Sequence, residues 1–242
     1  MLLADLHIHT TWSDGRLSIS EVVDLFGRSG HDVIAITDHI VNSDNVVGKV
    51  THRFGLTLTR ESFGAYRAEV EAEARRAWDE YRMIVIAGAE LTQNRIRRRN
   101  SAHVLALDIR DYVSAEGTVE EMLVRANDAG AVVVACHPHE QSEWFANTFY
   151  LWDRRNEVAN AVHLWELACR WDLFPPVARS RMRFIGNSDF HDRPHLYAWK
   201  TLLPCGRSAA EVVRTLKRGA GMAITRLEPE VGALPALAAA IA

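Results

Sequence analysis

The chain has 242 residues, the upper edge of what one compact domain usually holds, so a single α/β or barrel domain is the starting expectation. Hydrophobic residues at 48% and charged residues at 24% are ordinary globular values, which excludes extended disorder, collagen-like repeats and coiled coil. Lys and Arg number 28 against 31 Asp and Glu, and this net charge of −3 argues against a general nucleic-acid or anionic-membrane binder.

Short apolar runs rich in β-branched residues predict strands at 2–7, 32–37, 83–87, 103–108, 131–136, 161–166, 184–187 and 199–203. Helical spacing fills the gaps. Ser18 with Glu21 predicts a capping box that opens a helix ending near Gly30, and Thr118 with Glu121 predicts another ending at Gly130. Ser208 with Glu211 opens a third, running to about Gly219. Strands alternating with helices imply parallel pairing, and seven or eight such units in this length suit a closed barrel better than an open sheet. One segment, 40–82, breaks the rhythm: a polar loop followed by a long amphipathic helix over 61–81, read as an insertion able to act as a lid. The start MLLADLHIHTTW lacks the basic and apolar regions of a signal peptide, and no apolar run reaches membrane-spanning length. Three cysteines, 136, 169 and 205, with no paired spacing, suit a reducing compartment, so a cytoplasmic protein is expected.

Histidine is unusually frequent, 11 residues against 8 Phe, 7 Trp and 5 Tyr, and it is both a common metal ligand and the acid–base group of neutral pH. In Asp5-Leu6-His7-Ile8-His9 the alternation points Asp5, His7 and His9 the same way, so two imidazoles can share one ion with Asp5 as a supporting partner. Asp14 follows in a loop. Asp38-His39, Glu90, His103, His137 and the pair Asp189 and His191 each lie at or beside a predicted strand end, mostly the carboxyl end, where parallel barrels build their sites. Singly, each is more simply a core or surface residue; six segments converging in this way are not. Imidazole and carboxylate donors without paired thiols suit catalytic Zn, Mn or Fe.

In order, ADLHIHTTWSDG, ITDH, GAELT, AHVLALD, CHPH and NSDFH resemble the successive motifs of the polymerase-and-histidinol-phosphatase (PHP) superfamily of metal-dependent phosphoesterases. The likeness runs from residue 3 to about 205, and the tail HLYAWKTLLP resembles small stand-alone members. It implies a distorted (β/α)7 TIM-like barrel with three divalent ions at the carboxyl ends of its strands. One ion would be held by His7, His9, Glu90 and Asp189, a second by Glu90, His103 and His137, and a third by Asp14, His39 and His191. The implied activity is hydrolysis of a small phosphorylated metabolite or nucleotide by a metal-bridging hydroxide, with a phosphodiesterase or nuclease, a non-catalytic metal-binding interaction module, and C–N or carboxylic-ester hydrolysis as rivals.

Three further residues are candidates for handling substrate. His195, or His139, would serve as acid for the leaving oxygen. Arg97, within the run Arg95 to Arg99, and Lys200 would grip phosphate. Trp144, Trp152 and Trp171 are candidate stacking partners for a base or sugar, set against ordinary core packing. His31, His52 and His163 are read as structural.

Overall fold

The computed structural model describes residues 1–95, 98–138 and 148–228. Strands β1 (Leu2–Asp5), β2 (Val33–Ile36), β4 (Ile84–Gln93), β5 (Ala102–Leu107), β6 (Val132–Ala135), β7 (Leu164–Cys169), β9 (Phe184–Asn187) and β10 (Trp199–Leu203) occupy the eight apolar runs. Three short strands have no apolar run of their own: β3 (His39–Val41), β8 (Asp172–Leu173) and β11 (Ala223–Arg226). Their backbone pairs with longer neighbours, β3 with β4, β8 with β7 and β11 with β10, so partnership rather than composition makes them strands.

The sheet runs β11-β10-β1-β2-β4-β5-β6-β7-β8, with β3 attached to β4 and β9 to β7. Pairing is mixed. β1/β2, β2/β4, β3/β4, β6/β7 and β7/β9 are parallel, whereas β4/β5, β5/β6, β1/β10, β10/β11 and β7/β8 are antiparallel. A regular parallel βα barrel is therefore not what forms. The link from β4 to β5 crosses only 94–101, too short for the crossover that a parallel pair needs, so the chain turns back antiparallel. The sheet still curls: Ile8 and Phe190 form a parallel bridge that brings the extension of β1 against that of β9.

Helix α1 (Ile19–Arg28) carries the predicted capping box, with the Glu21 amide donating to Ser18 Oγ at 3.3 Å and the Ser18 amide to Glu21 Oε2 at 2.9 Å. α4 (Val119–Asp128) repeats it with Thr118 and Glu121. α7 (Ala209–Arg218) starts on Ser208 and ends on Gly219, whose φ of 62° is the left-handed cap that glycine adopts without steric cost. The 40–82 segment contains β3, then α2 (Val46–Arg53), which the polar composition hid, then α3 (Phe63–Tyr81). Asn45 caps α2 by accepting from the Gly48 amide at 3.0 Å. Two short helices, α5 (Phe149–Asp153) and α6 (Pro175–Arg179), complete the set.

Two apolar clusters flank the sheet. One is built with Val22 and Phe26 of α1, Tyr66 and Val70 of α3, and Met122 of α4. The other joins Ala4, Val33, Ile86, Leu105, Val134 and Ile185 to Val212 and Leu216 of α7. Burial on both faces explains why β2 and β6 read as unbroken apolar runs and why β5 and β7 are interrupted only by His103 and Glu166. No helix among the described residues is long and apolar enough to cross a membrane.

Candidate metal centre

Past its last strand residue, β1 continues into His7 and His9, both fully buried. Hydrogen bonds from the His9 amide to Phe190 O at 2.8 Å and from the Phe190 amide to His7 O at 3.0 Å stitch them against Asp189 and His191. Pairing of β3 with β4 sets His39 opposite Glu90, while the antiparallel β5 brings His103 back across Thr92. His137 follows β6. Asp14 is returned to the cluster by Asp38, whose buried carboxylate accepts from the Thr10 amide at 2.7 Å and from Ser13 Oγ at 2.6 Å.

The nine predicted donors meet in three overlapping sets. His7, His9 and Glu90 form one, with Asp189 Oδ1 3.5 Å from both imidazole Nε2 atoms; Glu90, His103 and His137 form a second; and His9, Asp14, His39 and His191 form a third. Within each set the donor atoms lie within 4.8 Å of one another. The rings crowd closely, His9 lying 4.3 Å from both His39 and His191 between centroids. Two backbone outliers frame the group: His137 at φ 23° and Asp189 at φ 47° are non-glycine residues in left-handed conformations, each costing about 1–3 kcal/mol that surrounding packing must offset.

Electrostatics explain the crowding. Burial opposes charge on every member, yet His39, His7 and His103 hold the Glu90 carboxyl well below the carboxylate range, and Arg170, His191 and His7 do the same for Asp189. In return His9, although burial works against protonation, is lifted to about 10 by Asp189, Glu90 and Asp14, while burial and His9 push His39 down to about 3. Protons on His7 and His9 thus neutralise the carboxylates when no cation is bound. Neither ring nitrogen of His9 has a hydrogen-bond partner among the described residues, although buried polar atoms normally find one. Imidazole nitrogens without aligned hydrogen bonds, 3.2–3.8 Å from the Glu90, Asp189 and Asp14 carboxylates, are the donor set a divalent cation requires. The residues fit the group.

Sequence reasoning missed two contributors and gave a third no role. Glu166, fully buried at the middle of β7, accepts from His7 Nδ1 at 2.9 Å, from the His137 amide at 2.7 Å and from Asn187 Nδ2 at 2.8 Å. It thereby leaves His7 Nε2 facing Glu90. Its place at the end of a predicted strand was the available signal. Arg170, in a left-handed turn after β7 (φ 53°), donates from Nη2 to Asp189 Oδ2 at 2.8 Å and lines the same cavity. Asp38, noted at its strand end beside His39, is the residue whose role, holding the Asp14 loop, only the structure shows.

The cavity has a volume of about 670 Å³, with Asp14, His39, Glu90, His103, Asp189 and His191 in its lining. His195 lines it too, its Nδ1 accepting from the His191 amide at 3.0 Å. Burial and Arg170 push that imidazole down to about 4, so it is neutral at pH 7 with its proton on Nε2. The expectation for Lys200 is corrected: it is completely buried, its Nζ 3.0 Å from Asp5 Oδ2, because an ammonium under the sheet must be paired. Asp5 also accepts from the Ser188 amide at 3.1 Å and so supports the neighbouring turn. Arg97, His139 and Trp144 lie outside the described residues. Arg95 pairs with Asp44 at 2.7 Å, and Arg99 lies 3.8 Å from Asp153, so neither turns to the cavity. Trp152 packs against Trp165 and Phe174, whereas Trp171 lines the cavity.

A family model for the PHP domain matches residues 5–149, more than half of the chain. The chain belongs to the PHP domain family. This PHP protein is 51% identical over 35 residues to the DNA polymerase/3'-5' exonuclease PolX of Bacillus subtilis, a match covering 14% of the chain and 6% of that relative's length. Among solved structures, a two-domain protein from Bacteroides vulgatus containing a predicted PHP-like metal-dependent phosphoesterase superposes with TM-score 0.65 at 19% identity, over 93% of this chain and 65% of that one. An amidohydrolase from Chromobacterium violaceum with bound sulfate and no metal gives 0.56 at 15% identity, over 92% and 97%. A metal-dependent phosphoesterase of Bifidobacterium adolescentis, putative by its own description, gives 0.50 at 16%, over 78% and 87%. At these identities the likeness is one of fold, and the PHP chain spans less than two thirds of the Bacteroides protein.

Proposed function

We propose that the protein is a metal-dependent phosphoester hydrolase, a phosphomonoesterase for a small phosphorylated metabolite, with three divalent cations (Zn, Mn or Fe). His7, His9, Glu90 and Asp189 would hold one, Glu90, His103 and His137 the second, and Asp14, His39 and His191 the third. On this reading the chain, residues 1–242, is one domain whose curled sheet is a distorted (β/α)7 barrel among the described residues, with the 40–82 segment contributing Val41, Thr51 and Leu56 to the cavity lining. The observation that carries the reading is the convergence of nine donors around the buried imidazole of His9, seven of them lining a cavity that Arg170 also lines.

Divalent cations bound at such a site ligate phosphoryl oxygens, lower the pKa of water and offset charge on the leaving oxygen. The chain's own residues do the rest. Asp14, Glu90 and Asp189 would repel a phosphate dianion unless cations outweighed them, so substrate affinity follows cation loading. Arg170, already turned toward Asp189, presents a guanidinium fork to a phosphoryl oxygen. His195, neutral with Nε2–H, donates a hydrogen bond toward the leaving oxygen. Glu166 and Asp38 hold His7 and the Asp14 loop in place.

A monoester is favoured over a diester or nucleic-acid strand because Arg170 is the one Lys or Arg among the described lining residues, and a polyanionic substrate needs more. Elemental analysis of purified protein is expected to give about three metal ions per chain, and a chelator to abolish hydrolysis of an aryl phosphate until Mn or Zn is restored. Folded protein that binds these ions yet hydrolyses neither monoesters nor diesters would mean an interaction module instead.

A further inference from the structure

The cavity is far larger than a phosphate and changes character toward its mouth. At the floor lie the imidazoles and carboxylates. The lining also includes buried Val41 from β3 and, more exposed, Leu56 from the chain just beyond α2 and Trp171 from the turn between β7 and β8. These two segments belong to different parts of the curled sheet, one beside β4 and the other beside β7. Leu56 and Trp171 remain 41% and 44% exposed, although large apolar side chains at a polar site are costly to leave wet.

The indole is held rather than loose. His195 meets it edge-on at 6.2 Å between centroids, and the Arg226 guanidinium lies over it at 5.3 Å. A fixed indole is a surface on which a flat apolar group can lie at low entropic cost. Charge around the indole is mixed, with Asp172 and Arg170 in the lining and Arg226 over the ring, so the apolar surface is what distinguishes this end of the cavity.

From these observations we propose that Val41, Leu56 and Trp171 form a leaving-group subsite that selects phosphomonoesters of ring-bearing alcohols over those of small ones. The inference rests on the proposed phosphoesterase reading, since it takes the phosphate end to lie at the metal centre and the alcohol to extend outward. Sequence alone favoured packing over recognition for Trp171.

Binding without turnover tests it separately from hydrolysis. Phenylphosphonate and methylphosphonate, which carry no cleavable ester bond, are titrated calorimetrically into the metal-loaded full chain. Phenylphosphonate is expected to bind at least tenfold more tightly. In Trp171→Ala and Leu56→Ser, both at exposed positions, that ratio should fall to about twofold, and Trp171→Phe should restore most of it. A ratio near one in the natural protein, or a ratio unchanged in both variants, overturns the subsite. Ring selectivity in binding with no hydrolysis of phenyl phosphate would leave the subsite standing and remove the phosphoesterase reading. Loss of phosphonate binding altogether, with metals still bound, would remove both.

Discussion

Replacing Glu166 by Gln keeps the volume and removes one acceptor. In the natural protein Oε1 accepts from His7 Nδ1 at 2.9 Å and from Asn187 Nδ2 at 2.8 Å, while Oε2 accepts from the His137 amide at 2.7 Å. A glutamine amide has one oxygen. With that oxygen toward His137, its NH2 faces His7 Nδ1 and Asn187; turned the other way, NH2 faces the His137 N–H. Asn187 cannot easily flip to help, because its Oδ1 already accepts from the Leu6 amide at 3.0 Å. At least one buried donor therefore loses its partner, worth about 1–3 kcal/mol of stability. The first orientation also forces His7 into the opposite tautomer, placing a proton on the Nε2 that lies 3.1 Å from Glu90 and should ligate. Loss of such a carboxylate behind a ligating imidazole weakens metal binding about 10–100-fold, equivalent to about 1.4–2.7 kcal/mol. The assay is chelator-competition titration of Zn or Mn, paired with urea unfolding of the metal-free protein and nitrogen NMR of the His7 tautomer. A variant whose metal affinity stays within about twofold, with His7 in its natural tautomer, would refute the positioning role.

Other outcomes follow from the same geometry. Lys200→Met strands the Asp5 carboxylate in a dry interior and should cost about 3–5 kcal/mol in urea unfolding; a normal stability with a raised KM would instead return Lys200 to the substrate site. Arg170→Ala removes a charge-assisted contact worth about 1.5–3 kcal/mol, so kcat/KM for an aryl phosphate should fall about 10–150-fold, with metal content retained. Burial and Lys200 push the His31 imidazole down to about 4, so it is neutral in the folded chain while the unfolded chain takes up a proton below about 6.5. Its contribution is therefore complete above pH 6.5 and is lost as pH falls toward 4, up to about 3 kcal/mol. His31→Gln should flatten that part of the stability–pH curve relative to the natural protein, and an unchanged slope would count against the linkage.

Much of this was readable from residue order. The eight apolar runs were strands that are buried along most or all of their length, and the capping boxes at Ser18 and Thr118 marked helix starts through purely local hydrogen bonds. The nine donors were visible because strand ends concentrate functional groups and because His and Asp recur at i and i+2. Other features carried no such local mark. β3, β8 and β11 exist only through their partners, α2 was hidden in a polar stretch, and the return of β5 against β4 changes the sheet from parallel to mixed.

What sequence determined, then, was the identity of the reactive groups and the ordered elements that carry them, since both depend on spacing along the chain. Tertiary structure decided which charge meets which. It sent Lys200 to the buried carboxylate of Asp5 and put Glu166 behind His7, and it brought Arg170 and Trp171 to the cavity although Asp189, the nearest predicted ligand, is 19 and 18 residues away along the chain. A lysine and an arginine look alike as isolated letters; only folding fixes whether a cation faces a buried carboxylate that must be neutralised or an open cavity where a phosphate can reach it.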